Sequence, residues 1–155
     1  MAQNPLPGRA AGGQAHFVRA DVTCSADVQA LVAAAVQQYG RLDCVVNNAG
    51  WTTLVDHRDL EALTEEIFRK TFEVNVFGTW QLTKMAMPLL RESSDGHVVN
   101  ITSIAGVRPV GSSIAYSMSK AALNQMARLL AKGHGPVRVN AVATGLVATP
   151  WTDDW

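Results

Sequence analysis

At 155 residues, with 48% hydrophobic and 17% charged residues, the chain has the composition of one globular domain with enough apolar material for a core. Thirteen Lys and Arg balance thirteen Asp and Glu, which leaves no electrostatic footprint for nucleic acid or an anionic membrane. No apolar run approaches a membrane span and no signal-peptide core opens the chain, so the cytoplasm is the expected compartment.

Residues 1–15 are rich in Gly, Pro, Ala and Gln without periodicity and are expected to form a flexible arm, with one domain over 16–155. His16 to Ala20 reads as a short strand. Ser25 is placed to cap a helix whose apolar positions are Val28, Leu31, Val32, Ala35, Val36 and Tyr39, and Gly40 is placed to end it. Leu42 to Asn47 is evenly apolar, as in a parallel strand covered on both faces. Residues 60–91 carry a helical pattern with Leu60, Leu63, Ile67, Phe72, Phe77, Leu82 and Met85 expected inside. That length predicts a break near Leu63 or Thr64. Asn75 is unfavourable in a helix interior and points to a function or a distortion there.

His97 to Ser103 reads as a strand, and a loop through Pro109 and Gly111 leads into a helix over 112–131. Val137 to Ala143 is the last strand. Strands alternating with helices predict a doubly wound, Rossmann-like parallel α/β sheet, whose ligands bind outside the carboxyl ends of the strands. Asn47 to Gly50, Ser103 and Thr144 to Thr149 each follow such an end.

Tyr116 and Lys120 stand four residues apart on one helix face, so an ammonium sits near a phenol. A positive neighbour favours phenolate and lowers the phenol pKa, tuning Tyr116 for general acid–base work. Taken alone, the pair also suits an ordinary helix surface, Asn47 to Gly50 suits a simple turn, and Asp21 suits the positive end of the following helix. His16, His57, His97 and His134 lack metal-ligand spacing, and Cys24 and Cys44 form no Cys-x-x-Cys pair, so no metal site is expected and both thiols are read as buried or inert. Ser103 has no Gly-x-Ser-x-Gly setting, against a hydrolase nucleophile.

Ser103, Tyr116 and Lys120, with Asn75 in Asn75-Val76-Phe77-Gly78, Asn47-Asn48-Ala49-Gly50 and Asp21 in Ala20-Asp21-Val22, together resemble the short-chain dehydrogenases/reductases from His16 onward. The resemblance implies hydride transfer between NAD or NADP and a small-molecule secondary alcohol or ketone. It makes Asn75, Ser103, Tyr116 and Lys120 catalytic, with Tyr116 the general acid/base and Asn75 part of a proton path from Lys120. It places Asp21 and Val22 at the adenine, and Asn47, Ala49 and Gly50 where the chain passes the cofactor. Tyr116 and Lys120 also meet the cofactor, Gly145 and Val147 lie beside the nicotinamide, and Thr149 reaches its carboxamide. Trp51, Val107, Pro109 and Trp151 would line the substrate side.

Two departures accompany these matches. Gly8, Gly12 and Gly13 have no strand before them and no helix after, so no glycine-rich phosphate loop is recognised, and Thr144 stands where the family has Pro. The family's first two strands and last segment have no counterpart, so the sheet is expected to be incomplete, with a bare edge, and the chain marginally folded on its own. The alternative reading is therefore an inactive truncated fragment acting at most as an oligomerisation partner. Its interface, and that of a homo-oligomer, would be the helices at 60–91 and 112–131, where Gly78, Ala115, Ala121 and Ala122 permit close approach. A sugar-nucleotide epimerase shares Tyr-x-x-x-Lys, but Asn-Asn-Ala-Gly argues against it.

Overall fold

The structure is a computed structural model and describes residues 12–147. Its elements in chain order are helix α1 (Ser25–Tyr39), strand β1 (Cys44–Asn47), helix α2 (Glu65–Phe72), a π-helical turn (Glu73–Gly78), helix α3 (Thr79–Glu92), strand β2 (His97–Ile101), a 3₁₀ turn (Ile104–Gly106), helix α4 (Ile114–Gly133) and strand β3 (Arg138–Val142). The strands form one parallel sheet in the order β1-β2-β3, with Val45 beside Val98 and Val98 beside Val139. Parallel neighbours need crossovers, supplied here by α2–α3 and by α4.

Alternation along the strands decides where the core lies. Val45, Val98 and Val139 point to one face and pack with Ala86, Met87 and Leu90 of α3 and Ala127 and Leu130 of α4. The other face of the same strands is open: Val46 is 55% and Val142 47% exposed. The expectation that the first of these strands is covered on both faces is thus corrected, because the described helices that touch the sheet, α3 and α4, supply the core on one side. Helix α1 rests on α3, and Val28 is its one buried residue.

The run at 16–20, expected to be a strand, joins no ladder, since no described strand lies beside it, and Phe17 is exposed. Cys24, not Ser25, takes the N-cap of α1, without a side-chain cap bond. The turn before it is closed by carboxylates: Asp21 Oδ1 accepts from the Thr23 amide and hydroxyl, and Asp27 Oδ2 accepts from the Asp21 amide. Gly40 ends the helix at φ 73°, its amide reaching Val36 O.

The helix expected from residue 60 begins only at Glu65, just past the expected break, and residues 60–63 are not helical. Thr64 is the N-cap of α2, its hydroxyl accepting from Ile67 N at 3.3 Å. Leu60 therefore precedes the helix and is exposed, as is Phe77 on the outer side of the π turn. That turn is the distortion that Asn75 signals. Within it Gly78 lies against Val22, where a Cβ would come 2.7 Å from Val22 Cγ2. Helix α4 is offset from the expected 112–131 because Ser113 caps it, its hydroxyl accepting from Tyr116 N at 3.2 Å. Of the two thiols expected to be buried or inert, Cys44 is half-buried in β1 and Cys24 is exposed at the surface turn before α1. Among the described residues no helix is long and apolar enough to cross a membrane.

Candidate active site

The three strand ends open on one cavity of about 550 Å³, to which Asn48, Ser103, Tyr116, Thr144, Gly145 and Val147 all contribute. Backbone bonds beyond the ladder hold two of these ends together: Thr102 N donates to Val142 O and Ile104 N to Thr144 O, each at 2.9 Å. Ser103 follows β2 in extended backbone, and its hydroxyl accepts from Ala105 N at 3.1 Å, which fixes the side chain as it enters the 3₁₀ turn.

Tyr116 comes from the first turn of α4 and is 9% exposed. Burial raises its phenol pKa, and the hydrogen bond with the Ser103 hydroxyl offsets part of the rise. Lys120, one turn on, is 4% exposed. Its Nζ donates to Ile101 O at 3.0 Å and stands 5.5 Å from the Tyr116 ring centroid. Burial lowers the Lys120 pKa to about 8. The expected direction for Tyr116 is thus corrected: spacing does bring the pair to one face, but loss of water around the phenol is the larger effect.

Asn75 is fully buried and does not line the cavity. Its Oδ1 accepts from Trp51 N at 2.7 Å, while its Nδ2 donates to Trp51 O at 3.0 Å and to Ser119 Oγ at 2.9 Å. The π turn thereby clamps the segment after β1 and ties it to α4. A Cβ on Gly50 would stand 3.6 Å from Asn75 Oδ1 and 3.7 Å from Lys120 Nζ, so this glycine lies beside both groups.

The remaining predicted residues divide. Asn47 is buried away from the cavity, its Nδ2 donating to Asn100 Oδ1 at 2.8 Å and Thr83 Oγ1 at 3.0 Å, so its side chain joins β1, β2 and α3 rather than bordering a ligand space. Ala49 is exposed and outside the cavity lining. Asp21 lies on a separate groove with Arg69 and Lys70, and the Thr23 bonds hold its carboxyl below the usual range. Val22 packs on Gly78. Thr149 and Trp151 lie outside the described residues.

Of the residues expected on the substrate side, Trp51, Val107 and Pro109 do not line the cavity. Trp51 instead carries Lys70 Nζ 4.5 Å over its ring, and Val107 is 62% exposed. Leu54, Ile104 and Val110 line it in their place. Leu54 was missed by sequence reasoning, and Asn48 entered it only within the Asn47 to Gly50 stretch, without a role of its own. Alternation past Asn47 was the available signal for Asn48, whereas Leu54 is brought in by a bond from Val55 N to Ser112 O at 2.8 Å that sequence does not reveal.

The donor set suits a hydroxyl-rich cofactor. An ammonium has three donors, and Lys120 gives one to Ile101 O while lying beside Gly50, where a side chain would fill the adjoining space. Among the described residues no cluster of three or more His, Cys, Asp or Glu could hold a metal ion.

The family model for short chain dehydrogenase matches residues 6–155. A Streptomyces violaceoruber protein named for a ketoacyl reductase of the granaticin polyketide synthase is 55% identical over 141 residues, 90% of this chain and 57% of that protein. The L-fucose dehydrogenase of Oryctolagus cuniculus is 39% identical, over 88% of this chain and 48% of that protein. A solved structure from Burkholderia xenovorans, described as a short-chain dehydrogenase/reductase, superposes with a TM-score of 0.88 at 38% identity, covering 92% of this chain and 60% of that one. A structure of ElxO with NADP bound gives 0.81 at 31% identity, covering 88% and 55%. The chain thus spans about half to three fifths of the length of these relatives.

Proposed function

The chain belongs to the short-chain dehydrogenase family, and from that premise we propose that Ser103, Tyr116 and Lys120 form the reacting centre of an NAD- or NADP-dependent oxidoreductase that interconverts a ketone and a secondary alcohol. The observation that carries this reading is the convergence of Ser103 and Tyr116 on one cavity at the carboxyl ends of the strands, with Lys120 buried behind them.

A bound nicotinamide supplies the hydride; the protein's own groups handle the oxygen and its proton. In the reducing direction Tyr116 donates its phenolic proton to the carbonyl oxygen, and its burial keeps that proton in place at neutral pH. The Ser103 hydroxyl donates to the same oxygen as charge develops on it. Lys120, with a pKa of about 8, is mainly protonated at neutral pH and stabilises the phenolate that Tyr116 becomes. Its remaining donors are available to cofactor ribose hydroxyls. In oxidation the same proton path runs in reverse. Asn75 acts on the geometry, since its bonds to both backbone groups of Trp51 hold Gly50 beside Lys120. The relative named for a ketoacyl reductase supports ketone reduction as the working direction.

Association with a second copy through the α2–α3 and α4 helices belongs to the same reading. It is supported by the exposure of Phe77, Trp80, Met118 and Leu129 on those elements.

The test is Tyr116→Phe. Ketone-dependent oxidation of NADPH or NADH is expected to fall by about 10²-fold or more, the range for a positioned acid, with cofactor affinity nearly unchanged. Turnover equal to the unsubstituted protein refutes the assignment.

A further inference from the structure

Resting on that reading of Ser103 and Tyr116, we infer that the cavity selects an uncharged ketone carried on an apolar carbon skeleton, and rejects both polyhydroxylated sugars and keto-acid anions. Leu54 is 67%, Ile104 39%, Val110 43% and Leu146 76% exposed, and all four border this one cavity. Large aliphatic side chains gathered at one opening and left in water mark a place where apolar surface is meant to be covered. The cavity's volume of about 550 Å³ lies within the range of small-molecule sites, about 300–1,000 Å³.

The polar groups of the lining are few, and several already have partners. Ser103 and Tyr116 are committed to the reacting oxygen. The Ser112 hydroxyl is paired with Thr52 Oγ1 at 2.6 Å, and Thr144 Oγ1 donates to Thr102 O at 3.4 Å. Asn48 adds one side-chain amide. A sugar would bring four or five further hydroxyls, each losing water for little in return. None of the described lining residues is charged, so a carboxylate or phosphate finds no cation on this wall. Lys120 lies behind Tyr116 with a donor committed to Ile101 O.

The Thr52–Ser112 contact and the bond from Val55 N to Ser112 O hold Leu54 over the cavity from the segment after β1. Val110 and Ile104 close it from the opposite loop.

The test is a binding experiment that does not need turnover. Saturation-transfer NMR on the full chain is run with three carbonyl compounds: 1-tetralone, the ketose L-sorbose and the acetoacetate anion. Tetralone is expected to saturate, with the other two at least about tenfold weaker, the scale of unpartnered polar groups entering an apolar site. Leu54→Asp and Val110→Asp are each expected to weaken tetralone by about tenfold or more, for the same cost of burying a charge. Both positions are substantially exposed in the free protein, so the fold tolerates the change. Sorbose or acetoacetate binding as well as tetralone, no saturation by any of the three, or tetralone affinity unchanged in both variants overturns the inference. Its failure differs from failure of the oxidoreductase reading. Turnover that favours the sugar refutes the substrate class alone, whereas selective tetralone binding without nicotinamide-dependent turnover refutes the reaction and leaves the selectivity standing.

Discussion

Lys120→Met separates the cost of the buried ammonium from its use. Burial lowers the Lys120 pKa from 10.5 to about 8, which corresponds to a penalty of about 3 kcal/mol for holding the charged form in the folded protein at neutral pH. Because the unfolded chain binds the proton more tightly, that penalty is present in full below about pH 8 and disappears as pH rises through 8 to 10.5, where both states are neutral. Methionine of similar shape removes the penalty but also the bond to Ile101 O, worth about 1–2 kcal/mol. The variant is therefore expected to be about 1–2 kcal/mol more stable than the parent at pH 7. Its advantage shrinks as pH rises above about 8 and reverses between about pH 9 and 10, and above 10.5 the lost hydrogen bond is all that remains. Urea unfolding of both proteins across this range reads the difference directly, and the other titrating groups cancel. A variant no more stable at pH 7, or a difference that does not change with pH, refutes the placement of a strained charge at this position.

Asn75→Ala leaves Trp51 N–H and C=O without the amide that both use, so a loss of about 2–4 kcal/mol in urea unfolding is expected. Substitution by Ala at Gly106 places a Cβ 2.7 Å from Lys120 C and 2.8 Å from Ala121 N, backbone atoms of α4 that cannot swing aside. A cost of about 1–3 kcal/mol is expected by thermal unfolding; an unchanged midpoint contradicts the close approach. Phe77→Glu, on the exposed side of the π turn, is expected to reduce self-association in sedimentation while leaving the far-ultraviolet dichroism unchanged, because charge is disfavoured at the core of an interface.

The alternation of elements made the parallel sheet legible, and residue spacing located the strand ends and the shared helix face of Tyr116 and Lys120. These are local properties. The direction of the Tyr116 pKa was not local: it depends on the loss of water around the phenol in the folded protein, which no spacing of four residues encodes. The π turn was half legible. Asn75 announced a distortion by its low helix propensity, but its partner Trp51 lies 24 residues away, and that pairing directs its amide to the Trp51 backbone. Asn47 shows the same limit, since strand alternation turned it to Asn100 and Thr83 and put its neighbour Asn48 in the cavity. Leu60 and Phe77 matched the helical period yet are exposed, because hydrophobic period identifies a face without saying what lies against it.

Isotope transfer reads out whether Ser103, Tyr116 and Lys120 direct hydride transfer to a ketone. The full chain is incubated with a ketone and NADPH deuterated at the hydride-bearing carbon, with the NADH counterpart run alongside, and the alcohol is examined by mass spectrometry. Deuterium is expected at the carbinol carbon with at least one of the two cofactors, and none above the protein-free control with Tyr116→Phe. No labelled alcohol from the unsubstituted chain with either cofactor, or equal labelling by the Tyr116→Phe protein, would contradict this assignment.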